Sequence, residues 1–116
     1  MSRAAEEVRV ELIGLLDVCL ESDNAQFLPH LGPIANMLSK AAADSNPEMK
    51  QKVATFAGTL CTELRDTAGN YMKATVAALT ANLSHQHSKV RKVTLRGLKD
   101  VLVARGAEPF IADSLG

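Results

Sequence analysis

The strongest constraint on this chain is a spacing. The stretch His87–Leu102, HSKVRKVTLRGLKDVL, opens on Val90-Arg91 and continues with inward positions at Thr94, Leu95, Leu98, Val101 and Leu102. Stepping back 41 residues gives Met49-Lys50, and another 41 gives Val8-Arg9. The positions that follow recur as well: Leu12, Val53, Thr94; Leu16, Ala57, Leu98; Cys19, Leu60, Val101; Leu20, Cys61, Leu102. One helix is written three times. A period of about 40–47 residues with two helices per unit marks a stacked helical array. The chain is expected to be all-α, an α-solenoid of antiparallel helix pairs, with Val8, Met49 and Val90 in equivalent buried places.

At a spacing of 41, the 116 residues hold fewer than three units. Such arrays usually need about three to bury a continuous core, so a single segment of a longer array, residues 1–116, is expected. The apolar share is 47%, yet the aromatic residues are only Phe27, Phe56, Phe110 and Tyr71, so the core must be aliphatic and Ala-rich. Cys19 and Cys61 fall at neighbouring repeat positions on what reads as buried helix face. They are expected as reduced core side chains and not as a disulfide. The opening MSRAAEEVRVE has no apolar run after its charges, and no stretch approaches the ~20 residues of a membrane span. These features point to a cytoplasmic location.

Five helices are expected, at about 3–21, 25–43, 47–64, 68–84 and 88–105, with a further one starting near 109. The first should bury Val8, Leu12, Leu15, Leu16 and Cys19. Ser22-Asp23-Asn24 offers cap chemistry to the second, where Pro33 should kink the helix or delay its start. Asn46 can cap the third helix, with Pro47 at its favoured first position. The fourth should bury Tyr71, Met72, Val76, Leu79 and Leu83. Gly106 suits the end of the fifth.

The order of these elements resembles the HEAT repeat, carried by Phe27-Leu28-Pro29-His30-Leu31, Asp44 and Met49-Lys50. In that family an Asp six residues before the basic position stacks into an internal polar ladder. The resemblance implies ladder roles for Asp44, Lys50 and Arg91. His85 stands six before Arg91 and Arg3 six before Arg9, so the Asp pattern breaks at both ends. The runs Asp66-Thr67-Ala68-Gly69, Asn70-Tyr71-Met72-Lys73 and Ser84-His85-Gln86-His87-Ser88-Lys89-Val90-Arg91-Lys92 are similar to HEAT-repeat assembly factors for axonemal dynein arms. That resemblance implies a non-catalytic scaffold without cofactors, with dynein chains or other assembly factors as partners.

No catalytic or metal constellation stands out. His85-x-His87 lacks the third and fourth ligands a metal site needs and reads as solvated loop. Some HEAT-like enzymes hold iron through His-Glu dipeptides; here His30 precedes Leu31, His85 precedes Gln86 and His87 precedes Ser88. There is no Gly-rich phosphate loop.

The informative face is Lys89, Lys92, Arg96 and Lys99, along one side of the last helix. Its equivalents are Glu48, Gln51, Thr55 and Gly58, and before them Glu7, Val10, Gly14 and Asp17. Residues 1–50 carry four basic and eight acidic groups, against nine and five in 51–116. The basic stripe is the candidate partner surface, for a protein with an acidic patch. A nucleic-acid-contacting module is the alternative, disfavoured because no aromatic interleaves the charges for base stacking. A transport-receptor or phosphatase-scaffold role is a third. Leu12, Leu15 and Leu16 at one end, and Val103, Phe110 and Ile111 at the other, should leave apolar ends open to self-association.

Overall fold

The computed structural model describes residues 3–104, with side chains for 7–64 and 67–104. Phe110, Ile111, Gly106 and the helix expected near 109 lie outside the described residues, as does the side chain of Arg3. Six α-helical segments follow one another: α1 (Arg3–Ser22), α2 (Leu31–Ala42), α3 (Pro47–Glu63), the single turn α4 (Arg65–Ala68), α5 (Lys73–Ala81) and α6 (Ser88–Val103). Three 3-10 segments join them, at Asn24–His30, Gly69–Tyr71 and Asn82–Ser84. There is no strand among the described residues.

The helices form two layers. One holds α1, α3 and α6, with α3 packed against both of the others; the second holds α2 against α5. Each outer helix also turns back onto the next helix of the first layer, α2 onto α3 and α5 onto α6. The slab measures 37 × 34 × 19 Å. Its short axis is two helix diameters of about 10 Å each. The fold is an all-α solenoid.

Local chemistry sets the boundaries. The Asn46 side chain accepts hydrogen bonds from the Glu48 and Met49 backbone N–H groups at 2.8 and 3.2 Å, and Pro47 takes the first helical position. Two of the N–H groups that a helix start leaves orphaned are thereby satisfied. The helix expected over 25–43 begins instead as a 3-10 segment holding Pro29, and α2 starts at Leu31 with Pro33 in its first turn. Proline is tolerated there because those N–H groups have no intrahelical partner. Asp23 makes no side-chain cap. The expected helix over 68–84 is split into α4, α5 and two 3-10 segments.

The core runs between the layers through Leu20, Leu31, Leu38, Val53, Phe56, Leu60, Met72, Val76, Leu79, Val90 and Val101, all fully buried. Phe27 packs on Phe56 with ring centroids 6.2 Å apart. α3 and α6 approach so closely that a Cβ on Gly97 would run into the Ala54 carbonyl, and one on Gly58 would sit 3.2 Å from the Gly97 Cα. Only glycine allows that contact.

The repeat's burial pattern fails in α1. Met49 and Val90 are buried, but Val8 is 57% exposed. Leu12, Leu15 and Cys19 are exposed too, and α1 buries Ile13 and Leu20 instead. The reason is neighbourhood. α3 has α6 beside it and α2 behind it, whereas α1 packs on α3 and on the 3-10 segment Asn24–His30 and has no comparable packing with α2. Tyr71 is also exposed, and Gly58 is buried in the α3–α6 seam and not on an open face.

Candidate protein-binding surfaces

A polar row links the units along the turns that precede α3 and α6. Asp44 accepts the Asn46 backbone N–H on Oδ1 at 2.9 Å and the Arg9 Nη2 on Oδ2 at 2.7 Å. One carboxylate thus closes its own turn and ties it to the preceding helix by a half-buried ion pair. Lys50 stands in the equivalent place one repeat on and is buried. Its Nζ donates to the Ala42 carbonyl at 3.1 Å and to Asn82 Oδ1 at 2.9 Å. Asn82 Nδ2 donates to the same carbonyl at 2.9 Å.

His85, 41 residues after Asp44, reproduces half of the carboxylate's work. Its Nδ1 accepts the His87 backbone N–H at 3.1 Å, as Asp44 accepts Asn46. A neutral imidazole whose Nδ1 accepts carries its proton on Nε2 and cannot also accept from Lys50. Asn82 takes that role. Desolvation, then the charges of His87, Lys50 and Arg91, hold the His85 pKa below its ordinary value. Arg91 is exposed, not partly buried, and its Nη1 donates to the His85 and Gln86 carbonyls at 2.7 and 3.1 Å. The row is therefore staggered: the basic group of one unit reaches the turn of the next, Arg9 to Asp44 and Lys50 to Asn82. Asn82 escaped the sequence reading; its only signal is an amide on an otherwise apolar stripe.

The faces of α1, α3 and α6 that turn away from the α2–α5 layer enclose a cleft of about 540 Å³. It gathers Gly14 and Asp17 from α1, Glu48, Gln51 and Thr55 from α3, and Lys89 from α6, with Lys52 and Val93 beside them. Two carboxylates face two ammonium groups there, so neither sign dominates. Lys92, Arg96 and Lys99 lie outside the cleft. With Lys89 they are exposed on the side of α6 opposite Val90, Thr94, Gly97, Leu98 and Val101.

A second groove, of about 770 Å³, opens between α1 and α2. Its walls are apolar (Leu12, Leu15, Leu16, Cys19, Pro33, Met37), with Arg9, Lys40 and Asp44 at the rim. Cys61, by contrast, is buried in the core, where desolvation and then the Asp100 charge push its thiol up to about 12. Such a thiol stays protonated and inert. His85 and His87 lie with ring centroids 5.1 Å apart, and no set of three metal-ligating side chains gathers among the described residues.

Two helix layers, a 41-residue period and a polar row stitching unit to unit define a helical-repeat solenoid. A family model described as "Dynein axonemal assembly factor 5-like, TPR repeats" matches residues 1–114, and the chain belongs to that family. Among curated proteins, it is 24% identical over 92 residues to the dynein axonemal assembly factor 5 of Xenopus laevis. That match covers 79% of this chain but 11% of the relative's length. No solved structure matches the chain. Among the described residues, no helix is long and apolar enough to cross a membrane.

Proposed function

We propose that this segment is a non-catalytic protein-binding scaffold of the HEAT type that assists preassembly of axonemal dynein arms in the cytoplasm. The observation that carries the reading is the family match over residues 1–114, to a family named for dynein arm assembly. The HEAT type is favoured over the family description's TPR label by the 41-residue spacing, since TPR units are about 34 residues long. The Arg9–Asp44 pair that joins neighbouring units also supports it.

The partner surface in this reading is Lys89, Lys92, Arg96 and Lys99, and the partner is a protein with an acidic patch, such as a dynein chain or another assembly factor. All four side chains are exposed and point away from the core. Replacing them together with Glu should abolish co-purification with dynein chains from ciliated cells while leaving the helical circular dichroism unchanged. Surface changes of this kind move stability by only about 0.5 kcal/mol each. Retention of the partners by the charge-reversed protein would sink the stripe. Salt dependence separates the nucleic-acid alternative: contact with about four phosphates gives a log–log slope near −3 to −4. A protein partner with a charged rim gives a shallower dependence, felt mainly in the on-rate.

A further inference from the structure

The cleft on the open side of the α1–α3–α6 layer exists because one contact changes size along the repeat. Between α3 and α6 the layer closes at Ala54 and Gly97, where backbone meets backbone. One repeat earlier the same register positions hold Ile13 and Phe56. Both are buried, and both border the cleft as its floor. Side chains of that size hold α1 off α3, and beside them a Cβ on Gly14 would meet nothing within 4 Å. A gap opens where the next joint has a seam. Asp17 stands one repeat before Gly58, on the side of α1 that turns to α3, and the cleft is built wholly from α1, α3 and α6.

Asp17 is the group in this cleft left short of partners. Its Oδ1 is shut off from solvent and meets no hydrogen-bond donor, while Lys52 and Lys89, on the same walls, are exposed. Glu48, the second carboxylate, is exposed and sits in the first turn of α3, where the helix end favours a negative charge. A carboxylate with one oxygen occluded and unpartnered has lost hydration without gaining a bond, and a cation on its other oxygen offsets that loss. We propose that the cleft receives an arginine side chain of the protein partner, anchored on the Asp17 carboxylate, while acidic residues of the same segment lie along Lys89, Lys92, Arg96 and Lys99. Lys52 and Lys89 would repel a lone cation, so the arginine enters only with carboxylates beside it. Arginine suits the place better than lysine, because its guanidinium is less strongly hydrated and its stem can lie on Val93 and the apolar floor. The proposal rests on the assignment of the α6 stripe as the partner surface and adds a change of sign: the partner segment is acidic along α6 and basic where it crosses to α1. Neighbouring helices in a layer stand about 8–10 Å apart, so two such steps span about six residues of extended chain.

The probe is a fluorescein-labelled peptide of four glutamates, a Gly-Ser-Gly-Ser spacer and a terminal arginine, compared with the same peptide ending in alanine. Binding to the full 116-residue chain is read by anisotropy at low ionic strength, where surface charges are least screened. The arginine peptide should bind about fivefold more tightly than its alanine twin, the upper end of what an exposed ion pair supplies. Asp17→Asn should equalise the two peptides without weakening the alanine one. It should also leave the melting temperature undiminished, since Oδ1 has no donor to lose. Equal binding of both peptides to the unaltered chain, or an arginine advantage that survives Asp17→Asn, would overturn the cleft assignment and leave the stripe standing. Binding of neither peptide at about 1 mM would overturn the stripe and the cleft together.

Discussion

The helices α1 and α3 carry the same pattern and have opposite fates. Val53, Phe56 and Leu60 are sealed in α3, while Leu12, Leu15 and Cys19, at the same register in α1, face outward. Intrinsic helix pattern specifies which face is apolar; burial is supplied by whatever packs behind. In a quasi-one-dimensional array each unit draws stability from its neighbours, so the same side chain contributes differently at different places in the stack.

The largest test of this contrast compares Leu60→Ala with Cys19→Ala. The first removes a fully buried side chain and should cost about 3 kcal/mol through lost transfer energy and a residual cavity. The second should stay within about 0.5 kcal/mol. Equal costs in thermal denaturation would mean that α1 is covered after all. Gly97→Ala should come next, at about 2 kcal/mol, because the new methyl meets the Ala54 backbone and the helices must move apart. Gly14→Ala in α1 meets nothing within 4 Å and should instead be neutral or stabilising. A gain is also expected from Thr94→Val, read by the same thermal denaturation. Thr94 Oγ1 is buried without a hydrogen-bond partner, and its register mate in α3 is Val53. Removing that hydroxyl should stabilise by about 1 kcal/mol.

The smallest expected effect concerns acid. His85 has a folded pKa below its ordinary value, so the unfolded chain binds the proton more readily. Its contribution is present above the ordinary histidine range and is lost as pH falls through the lowered folded value. His85→Gln should flatten that part of the stability–pH curve. His85→Asp should raise the melting temperature near neutral pH, by giving Lys50 the carboxylate that Asp44 gives Arg9. An unchanged acid arm in both variants would show that the imidazole contributes nothing to the turn.

Much of the fold was legible because solenoid periodicity repeats the same helical stripe, and the stripe of α3 and α6 is buried as that pattern requires, except at Leu95, which is 58% exposed on the flank of α6. Asn46-Pro47 was legible too, since cap chemistry is local. What escaped the sequence depends on which residues meet in space. The outward turn of Val8 and Cys19 follows from a neighbour that the pattern does not encode. Asn82 supports Lys50 across 32 residues, a distance over which no local rule operates. Gly58 read as open surface because a glycine on the polar side of a helix looks the same whether solvent or another backbone approaches it. The α6 side of the candidate surface was legible as four charges at helical spacing. The cleft was only half so, because its mixture of signs arises where three helices meet.

The glycine seam between α3 and α6 has a mechanical meaning. Where two helices touch backbone to backbone, as at Gly97 and Ala54, few side-chain rotamers lie between them to slide or re-seat, so the joint should resist shear and bending. The joint between α1 and α3 has no such seam, since a Cβ on Gly14 would meet nothing within 4 Å, and it should be the softer one. Pulled or flexed along the stack, the segment should behave as a stiff leaf, α3 with α6, carrying a compliant one, α1. Any curvature a load demands will be taken up at the edge where the apolar groove opens, widening or narrowing it like a jaw.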